Sequence, residues 1–352
     1  MPCVRDGLIS NQKSIGISSH PGLLLSILNY FFYYKNCLPD CIEINPDNNY
    51  TVPSFYEKNT QVLAHSTQFS LFDPNFNVNR WLEKCTSNLR GKSISFMSVH
   101  FGLNRFGNHR LWTFLPIQPD KKQISMAADR LKQISDYFSC PVGVENLALA
   151  LSVEDIFCQI DSLEKLIKYS DCYILLDLHN VFCQAQNYSL SFEELVSRYP
   201  LDRVLEIHMS GGSDFRTTSS GADFRRDTHD GPLPMDLLSI YKKNAFKLNR
   251  LKWIIYELQP EFRLQSLFTA IKDTSQIRKV IQETPISESL LDRRDYLLND
   301  RDIAVNFSEL YNLLANKNVD AVKFQESYHL DPRAVEVCSL LIEKWKRSPD
   351  SF

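Results

Sequence analysis

The segment Pro141–Asp177 (PVGVENLALALSVEDIFCQIDSLEKLIKYSDCYILLD) contains the pattern that decides the fold. It begins with a short β-branched and apolar run, Pro141–Glu145, and it ends with another, Cys172–Asp177. Between them, Val153–Tyr169 repeats apolar residues at steps of three and four, as an amphipathic helix does. This order predicts two parallel strands that are joined by a helical crossover.

The same alternation continues in both directions along the chain. The predicted strand runs are Ser14–Ser18, Cys41–Asn45, Gln61–His65, Ser93–His100, Pro141–Glu145, Cys172–Asp177, Arg203–His208 and Trp253–Glu257. Ile124–Phe138 and Phe192–Tyr199 are further predicted helices between these runs. Eight parallel strands separated by helices are what a closed (β/α)₈ barrel requires. The predicted fold class is therefore α/β, a TIM barrel.

The pattern changes after Pro260. From Leu264 to Trp345 the sequence has helical stretches but no run with the pattern of a strand. We therefore expect residues 1–262 to form the catalytic barrel and residues 263–352 to form a helical C-terminal extension. Such an extension could recognise a peptide, replace or bind a partner, or simply seal the barrel, and the sequence leaves these roles open.

Composition excludes several classes of function. The chain has 352 residues and a formal net charge of -3, so it lacks the basic character of a nucleic-acid-binding protein. The N-terminus carries no signal-peptide pattern, and the apolar run Gly22–Tyr34 is too short to span a bilayer. Nine scattered cysteines, an odd number, favour reduced thiols. We expect a cytoplasmic protein that binds neither nucleic acid nor membrane.

The last residue of each of six successive strands is a histidine or a carboxylate. These residues are His65, His100, Glu145, Asp177, His208 and Glu257. The C-terminal ends of the strands of a (β/α)₈ barrel form one rim, so the six side chains are expected to converge there. Asp227 and His229 follow in the loop RRDTHDGPLP, where an extended Asp-x-His segment would point both side chains to the same side.

Each of these residues also has an ordinary structural interpretation. Taken alone, His65 or His100 is more often a hydrogen-bonded histidine of the core or rim, and Glu145 or Glu257 can pair with a cation. Asp177 can cap a turn. Taken together, however, they would bury several charges in one cavity, at a cost of several kcal/mol for each uncompensated charge. Multivalent cations are the natural compensation, so the pattern predicts a metal site.

The donor types narrow the choice of metal. All the predicted donors are nitrogen or oxygen atoms, which suits iron, manganese or zinc and disfavours copper(I) and iron–sulfur clusters. Four histidines exclude a pure magnesium or calcium site. Eight donors are more than one ion can use, so two or three ions are expected.

Several segments of the chain resemble one known family, the multinuclear non-heme iron-dependent oxidative enzymes (MbnB-like, of the methanobactin-biosynthesis type). The segments that carry the resemblance are IEINPDNN, LAHSTQFSL, FMSVHFGL, GVENLA, LLDLHNVFCQAQN, EIHMSGG, RDTHDGP and IIYEL. They cover roughly residues 14–260. LLDLHNVFCQAQN and DTHDGP are the most specific of them, since single histidine motifs mean little alone.

The resemblance implies a barrel that binds two or three irons, Fe(II) or Fe(III), and that uses dioxygen as co-substrate. The implied metal ligands are His65, His100, Glu145, Asp177, His208, Asp227, His229 and Glu257. Asn180 matches an asparagine that lies at or beside the cluster, and Asp177, Asn180 and His229 are the expected catalytic residues. Family members modify ribosomally made precursor peptides, commonly at a cysteine, and many need a small partner protein that delivers the leader peptide.

Two positions depart from the pattern of the family. Many relatives have a second asparagine where this chain has His179, and a histidine where it has Gly212. The loop Ser213–Arg226, between predicted ligands, is expected to be either a lid that contacts the peptide or an ordinary disordered loop.

Two other functions remain possible at this stage. A zinc TIM-barrel hydrolase or isomerase, of the apurinic-endonuclease or sugar-isomerase type, would use similar donors to activate water instead of dioxygen. A scaffold built on an inactive barrel, with the C-terminal helices as its working part, is disfavoured because all eight donor positions are present.

Overall fold

Eight parallel strands close into a barrel. The computed structural model describes residues 13–19, 21–35, 39–48, 60–106, 109–258, 264–284, 306–316 and 320–346. The barrel strands are β1 (Ser14–Ser19), β2 (Cys41–Ile44), β3 (Gln61–Ser66), β4 (Met97–His100), β7 (Val142–Glu145), β8 (Tyr173–Asp177), β9 (Val204–Met209) and β12 (Trp253–Leu258). Each strand pairs with the next, and β12 pairs with β1 over six residues to close the ring. The predicted TIM barrel is confirmed.

Every barrel strand falls within or next to a predicted run, because both faces of a parallel strand in this fold are covered. All six residues of β12 and all six of β9 are buried, which is why each reads as a nearly continuous apolar run. The ionisable residues that interrupt these two runs, Glu206 and His208 in β9 and Glu257 in β12, belong to the donor cluster that is described below.

The helices that cover the barrel have clear boundary signals. They are α1 (Pro21–Lys35), α2 (Val78–Leu89), α3 (Lys121–Phe138), α4 (Val153–Ser170), α5 (Leu178–Asn187), α6 (Phe192–Arg198), α7 (Met235–Asn244) and α8 (Leu264–Glu283). Asp120 and Gln123 form a capping box at the start of α3, and Ser152 caps α4. Within the described part of the chain, no helix is both long and apolar enough to cross a bilayer.

Two antiparallel hairpins extend from the C-terminal ends of the strands. The first is formed by β5 (Leu103–Phe106) and β6 (His109–Leu115), and the second by β10 (Asp214–Arg216) and β11 (Asp223–Arg225). The second hairpin occupies the segment that the sequence predicts as a lid or a disordered loop. Phe215 pairs with Phe224 across it, so the segment is an ordered hairpin beside the barrel mouth.

The described part of the C-terminal region is helical and packs on the barrel. Its helices after α8 are α9 (Phe307–Ala315), α10 (Asp320–Ser327) and α11 (Pro332–Lys346). Tyr311 on α9 donates a hydrogen bond from its hydroxyl to the carbonyl of Pro116 at 2.8 Å, and the Asp331 amide donates to the carbonyl of Leu151 at 2.7 Å. The expected domain boundary at residue 262 lies outside the described residues.

Glu336 on α11 ties this helix to the tip of the second hairpin. Thr218 donates from its amide and its hydroxyl to Glu336 Oε1, at 2.8 and 2.9 Å, and the Ser219 amide donates to Oε2 at 2.8 Å. Slight burial raises the pKa of Glu336, but these hydrogen bonds lower it more strongly, to about 2. The carboxylate is therefore charged throughout the physiological pH range, and the hairpin is fixed to α11.

Asp155, in the first turn of α4, has a buried carboxyl group with little hydrogen bonding. It is 1% exposed, and its Oδ2 accepts from the Leu151 amide at 2.9 Å. Burial raises the pKa of Asp155 to about 7, although the bond from Leu151 opposes this shift. Since the folded pKa exceeds the unfolded value of about 3.9, the group destabilises the fold progressively as pH rises from about 4 to about 7.

We therefore expect Asp155→Asn to gain stability relative to the wild type as pH rises. Asparagine can still accept from Leu151 but cannot ionise, so the difference in the free energy of unfolding should grow by up to about 1.4 kcal/mol per pH unit between about pH 4 and 7. Urea unfolding at pH 5, 6 and 7 measures it. Asp161→Asn, at an exposed position on the same helix, is the control. A difference that does not change with pH would contradict the assignment.

Candidate metal centre

All eight predicted donor residues lie at one mouth of the barrel. A cavity of about 480 Å³ opens there. Six of the eight residues line it: His65, His100, Glu145, Asp227, His229 and Glu257. Asp177 and His208 are fully buried. The strand ends therefore converge as the barrel geometry requires.

The first group of donors consists of His65, His100 and Glu145. Glu145 Oε2 lies 3.2 Å from His65 Nε2 and 2.7 Å from His100 Nδ1, and the two Nε2 atoms of the histidines are 2.9 Å apart. His65 Nδ1 lies 2.8 Å from the hydroxyl of Ser98. With the proton on Nδ1, the lone pair of His65 Nε2 is directed at the other donors, as it is in a metal ligand.

A second group is formed by Asp177, Asp227 and His229. Their donor atoms all lie within 4.8 Å of one another, and His229 Nε2 is 2.6 Å from Asp227 Oδ2. The expectation of an extended Asp-x-His segment is wrong, because His229 has φ 53°, in the left-handed region. This turn of the backbone aims the imidazole back toward Asp227, so the two side chains meet without the alternation of a strand.

A third group joins the other two. It contains Glu145, Asp177, His208 and Glu257, again with donor atoms within 4.8 Å of one another. His208 Nδ1 lies 3.0 Å from Glu257 Oε2 and 3.6 Å from Glu145 Oε1. Glu145 belongs to the first group as well, and Asp177 to the second. Carboxylates shared in this way can bridge neighbouring ions, so the arrangement has places for more than one cation.

The electrostatics of the cluster are unfavourable without cations. Burial lowers the pKa of His65, but Glu145 raises it more strongly, to about 9. Burial, Asp227 and Glu145 raise the pKa of Asp177 well above its usual range. The protein on its own must therefore hold extra protons among these side chains, and cations would replace those protons.

Several buried atoms of the cluster lack a hydrogen-bond partner, which tests whether a metal fits. Among the described residues, Glu145 Oε2, Asp177 Oδ2 and His208 Nδ1 are buried and make no hydrogen bond of suitable geometry, although ionisable side chains lie 2.7 Å from Glu145 Oε2 and 3.0 Å from His208 Nδ1. Native proteins rarely leave such atoms without a partner unless an ion or water completes them. The residues present thus fit a cluster of cations bound by nitrogen and oxygen.

Glu43 and Glu206 are part of the site, and our sequence reasoning did not assign them. Glu43 on β2 is 2% exposed, and its Oε2 accepts from His208 Nε2 at 3.1 Å. Glu206 on β9 is fully buried, with its Oε1 3.7 Å from the same nitrogen. Burial and the nearby Glu43 raise the pKa of Glu206 to about 7. The sequence signal for both residues is a glutamate inside an otherwise mostly apolar strand, in CIEI of β2 and in VLEIHM of β9.

The two departures from the family pattern, His179 and Gly212, are adjacent in space. His179 is fully buried and its Nδ1 lies 2.8 Å from Asp227 Oδ1. A Cβ atom added at Gly212 would lie 2.2 Å from the carbonyl oxygen of Arg226 and 2.8 Å from His179 Cε1. A side chain at position 212 would therefore clash with the backbone at Arg226 and with the ring of His179.

Asn180 also reaches the cavity. Its backbone N–H donates a hydrogen bond to Asp177 Oδ1 at 2.7 Å, and its side-chain Nδ2 donates one to the backbone carbonyl of Asn146 at 2.8 Å. These bonds fix the side chain, and its buried Oδ1 has no hydrogen-bond partner among the described residues. Asn180 thus presents an oriented carbonyl oxygen beside the donor groups.

Comparison with known proteins agrees with this geometry. A family described as "RiPP precursor modification enzyme MbnB/TglH/ChrH" matches residues 35–282. The chain belongs to this family. RiPPs are ribosomally synthesised and post-translationally modified peptides, so the chain is a member of a family of enzymes that modify peptide precursors. The matched range includes all eight predicted donors as well as Glu43 and Glu206.

Similar proteins known only as UPF0276 proteins occur in several bacteria. One from Caulobacter vibrioides is 27% identical over 145 residues, which are 41% of this chain and 49% of that protein. One from Shewanella loihica is 22% identical over 225 residues, 62% of this chain and 77% of that protein. The chain spans about half the length of the Caulobacter relatives that it matches.

Solved structures share the fold. A xylose isomerase domain-containing protein from Salmonella typhimurium superposes with a TM-score of 0.51 at 15% identity, covering 77% of this chain and all of the other. A xylose isomerase domain protein from Planctomyces limnophilus gives 0.50 at 11% identity, covering 77% and 99%. At these identities the likeness establishes the barrel and nothing about the reaction.

The bond between Glu43 and His208 leads to a prediction about metal affinity. A carboxylate that accepts from the distal nitrogen of a metal-binding histidine fixes its tautomer and raises its basicity. We expect Glu43→Gln to weaken metal binding by about 10- to 100-fold. Metal content after dialysis against graded chelator measures the effect. Glu193→Gln, on the exposed surface where Glu193 pairs with Lys243, is the control. Equal metal retention in both variants would refute the role of Glu43.

Proposed function

We propose that this protein is a multinuclear iron-dependent oxidase or oxygenase that uses dioxygen to modify a ribosomally synthesised precursor peptide at a cysteine. The observation that supports this most directly is the convergence of eight nitrogen and oxygen donors on one cavity, in a member of a peptide-modifying family. The proposed ligands are the eight donors, shared among two or three Fe(II)/Fe(III) ions.

Bound iron would supply the redox chemistry, because it can bind both a thiolate and dioxygen and pass electrons between them. The protein's own residues arrange the reactants. Glu145 and Asp177 each belong to two donor groups and would contribute ligands to both. Asp177, Asn180 and His229 are the proposed catalytic residues: Asp177 and His229 belong to one donor group, and Asn180 is bonded to Asp177 and reaches the cavity.

Apolar side chains line part of the cavity. Leu147, Leu149 and Phe114 are among them, together with Phe215 and Phe224 of the second hairpin. This apolar lining would exclude water from a thiol that is held at the donor groups.

We further propose that the helices after residue 263 take part in peptide recognition. Val337, Leu340, Leu341 and Lys344 of α11 line the cavity together with the barrel loops. Leu340 is 44% exposed, so it offers apolar surface at the entrance. A small partner protein that binds the leader peptide is compatible with this arrangement, since the leader would extend outward past α11.

The proposed reaction can be tested with anaerobically purified protein that has been loaded with ferrous iron. We expect oxygen consumption, followed with an oxygen electrode, when a cysteine-containing precursor peptide encoded near the gene is added. The same peptide with serine in place of cysteine is the control, and it should give no stimulated uptake. Colourless, zinc-loaded protein that cleaves or isomerises a substrate instead would refute the proposal.

If α11 helps to bind the peptide, a negative charge on its cavity-lining face should weaken that binding. Leu340→Asp should weaken peptide binding by about 10-fold or more, because it places a carboxylate on an apolar wall, while metal content stays unchanged. Titration of labelled peptide by fluorescence anisotropy measures this. Val322→Asp, at a 56% exposed position on α10 that does not line the cavity, is the matched control. Equal affinities of the two variants would argue against a role for α11.

A further inference from the structure

Two consecutive arginines, Arg225 and Arg226, line the cavity directly before the donor Asp227. We propose that they form a subsite for a carboxylate of the peptide substrate, with Arg226 as its main residue. The proposal rests on the proposed function, because it concerns how the same cavity holds its peptide.

Arg226 has an unused capacity for hydrogen bonding. Its Nε is buried without a partner, and its Nη2 makes one long bond, 3.4 Å, to the hydroxyl of Ser213. No carboxylate within ion-pair distance of Arg226 occurs among the described residues. The guanidinium lies over the ring of Phe215, 5.3 Å from its centroid, which holds its plane in place. A partly buried guanidinium without an anion is a ready site for one.

Arg225 is only partly engaged. Its Nη1 is 3.5 Å from Asp214 Oδ1, a carboxylate that is itself half exposed, and its Nη2 is 3.5 Å from His179 Nε2. Its Nε is also buried without a partner. Arg225 therefore adds positive charge next to Arg226 and keeps donors available. Cations bound at the donor groups would neutralise the nearby carboxylates, which leaves the arginines as the binding site for a substrate anion.

The arginines are held firmly enough to select a ligand. Asn187 on α5 bonds both backbone groups of Arg225: its Oδ1 accepts from the amide at 2.7 Å, and its Nδ2 donates to the carbonyl at 2.9 Å. The tip of the same hairpin is fixed to Glu336 on α11. A subsite between two anchors loses little entropy when a ligand binds.

The position of the subsite limits which carboxylate can reach it. Arg226 lines the same cavity of about 480 Å³ as the donors Asp227, His229 and Glu145. A carboxylate bound to Arg226 therefore belongs to the short peptide segment that this cavity holds with the reacting cysteine. It is either the α-carboxylate of a C-terminal cysteine or the side chain of an adjacent acidic residue. Guanidinium binds both in the same bidentate way.

The test measures binding under nitrogen, with the full-length protein loaded with ferrous iron, so that no turnover is needed. Three probes are titrated by calorimetry: acetyl-Ala-Leu-Cys with a free carboxylate, the same peptide as its amide, and acetyl-Ala-Leu-Cys-Asp-amide. We expect at least one carboxylate probe to bind the wild type about 10-fold or more tightly than the amide. The favoured probe identifies the source of the carboxylate.

Variants assign the preference to Arg226. Arg226→Met should abolish the carboxylate preference, and Arg226→Lys should keep part of it, with metal content unchanged in both. The control is Arg216→Met. Arg216 lies on the same hairpin and pairs with Asp223, its side chain is 71% exposed, and it does not line the cavity. This variant should keep the full preference.

Three results would overturn the subsite: no preference in the wild type, a preference that survives Arg226→Met, or no binding of either carboxylate probe. Oxygen uptake by the wild type, recorded separately, reports on the proposed function. Uptake without a carboxylate preference refutes the subsite alone. A carboxylate preference without uptake refutes the oxidative reaction alone.

Discussion

The need to compensate buried charge is the constraint on which the rest of the site depends. Six carboxylates and several imidazoles meet in the barrel mouth, and most of them are nearly or fully inaccessible to water. Water cannot stabilise these charges, and the ion-pair partners described above for Glu145, Asp227 and Glu257 are histidines, so cations or extra protons must compensate them. This constraint explains why polar side chains interrupt otherwise apolar strands, and it links the fold to metal chemistry.

Strand ends were predictable from the sequence because two simple rules coincide there. Parallel strands that are buried on both faces appear as short apolar runs, and the barrel brings their carboxyl ends to one rim, so His65 and Glu257 could be placed together from opposite ends of the chain. The roles of Glu43 and Glu206 were missed because they lie inside strands, one layer below the rim. The turn at His229 was also missed, since a left-handed residue that is not glycine has no reliable sequence signal.

Long-range packing explains the other differences between the expectations from the sequence and the structure. The segment between Ser213 and Arg226 reads as a polar loop, and its order comes from contacts with Asn187 and Glu336, which are distant in sequence. Likewise, His179 and Gly212 looked like two separate departures from a pattern. The structure shows that they are neighbours, since the space that a side chain at 212 would need is filled by backbone and by His179. Local sequence patterns carry no information about such pairs.

The closure of the barrel has a consequence for how the protein matures. The proposed donors come from the six barrel strands from β3 to β12 and from the loop after β11, and Glu257 lies on the strand that completes the ring against β1. A chain that has not yet docked β12 therefore lacks Glu257, and with it the third donor group, which joins the other two. Under the proposed function, the complete centre would fill only after the final strand has docked, and metal bound there would stabilise the closed barrel.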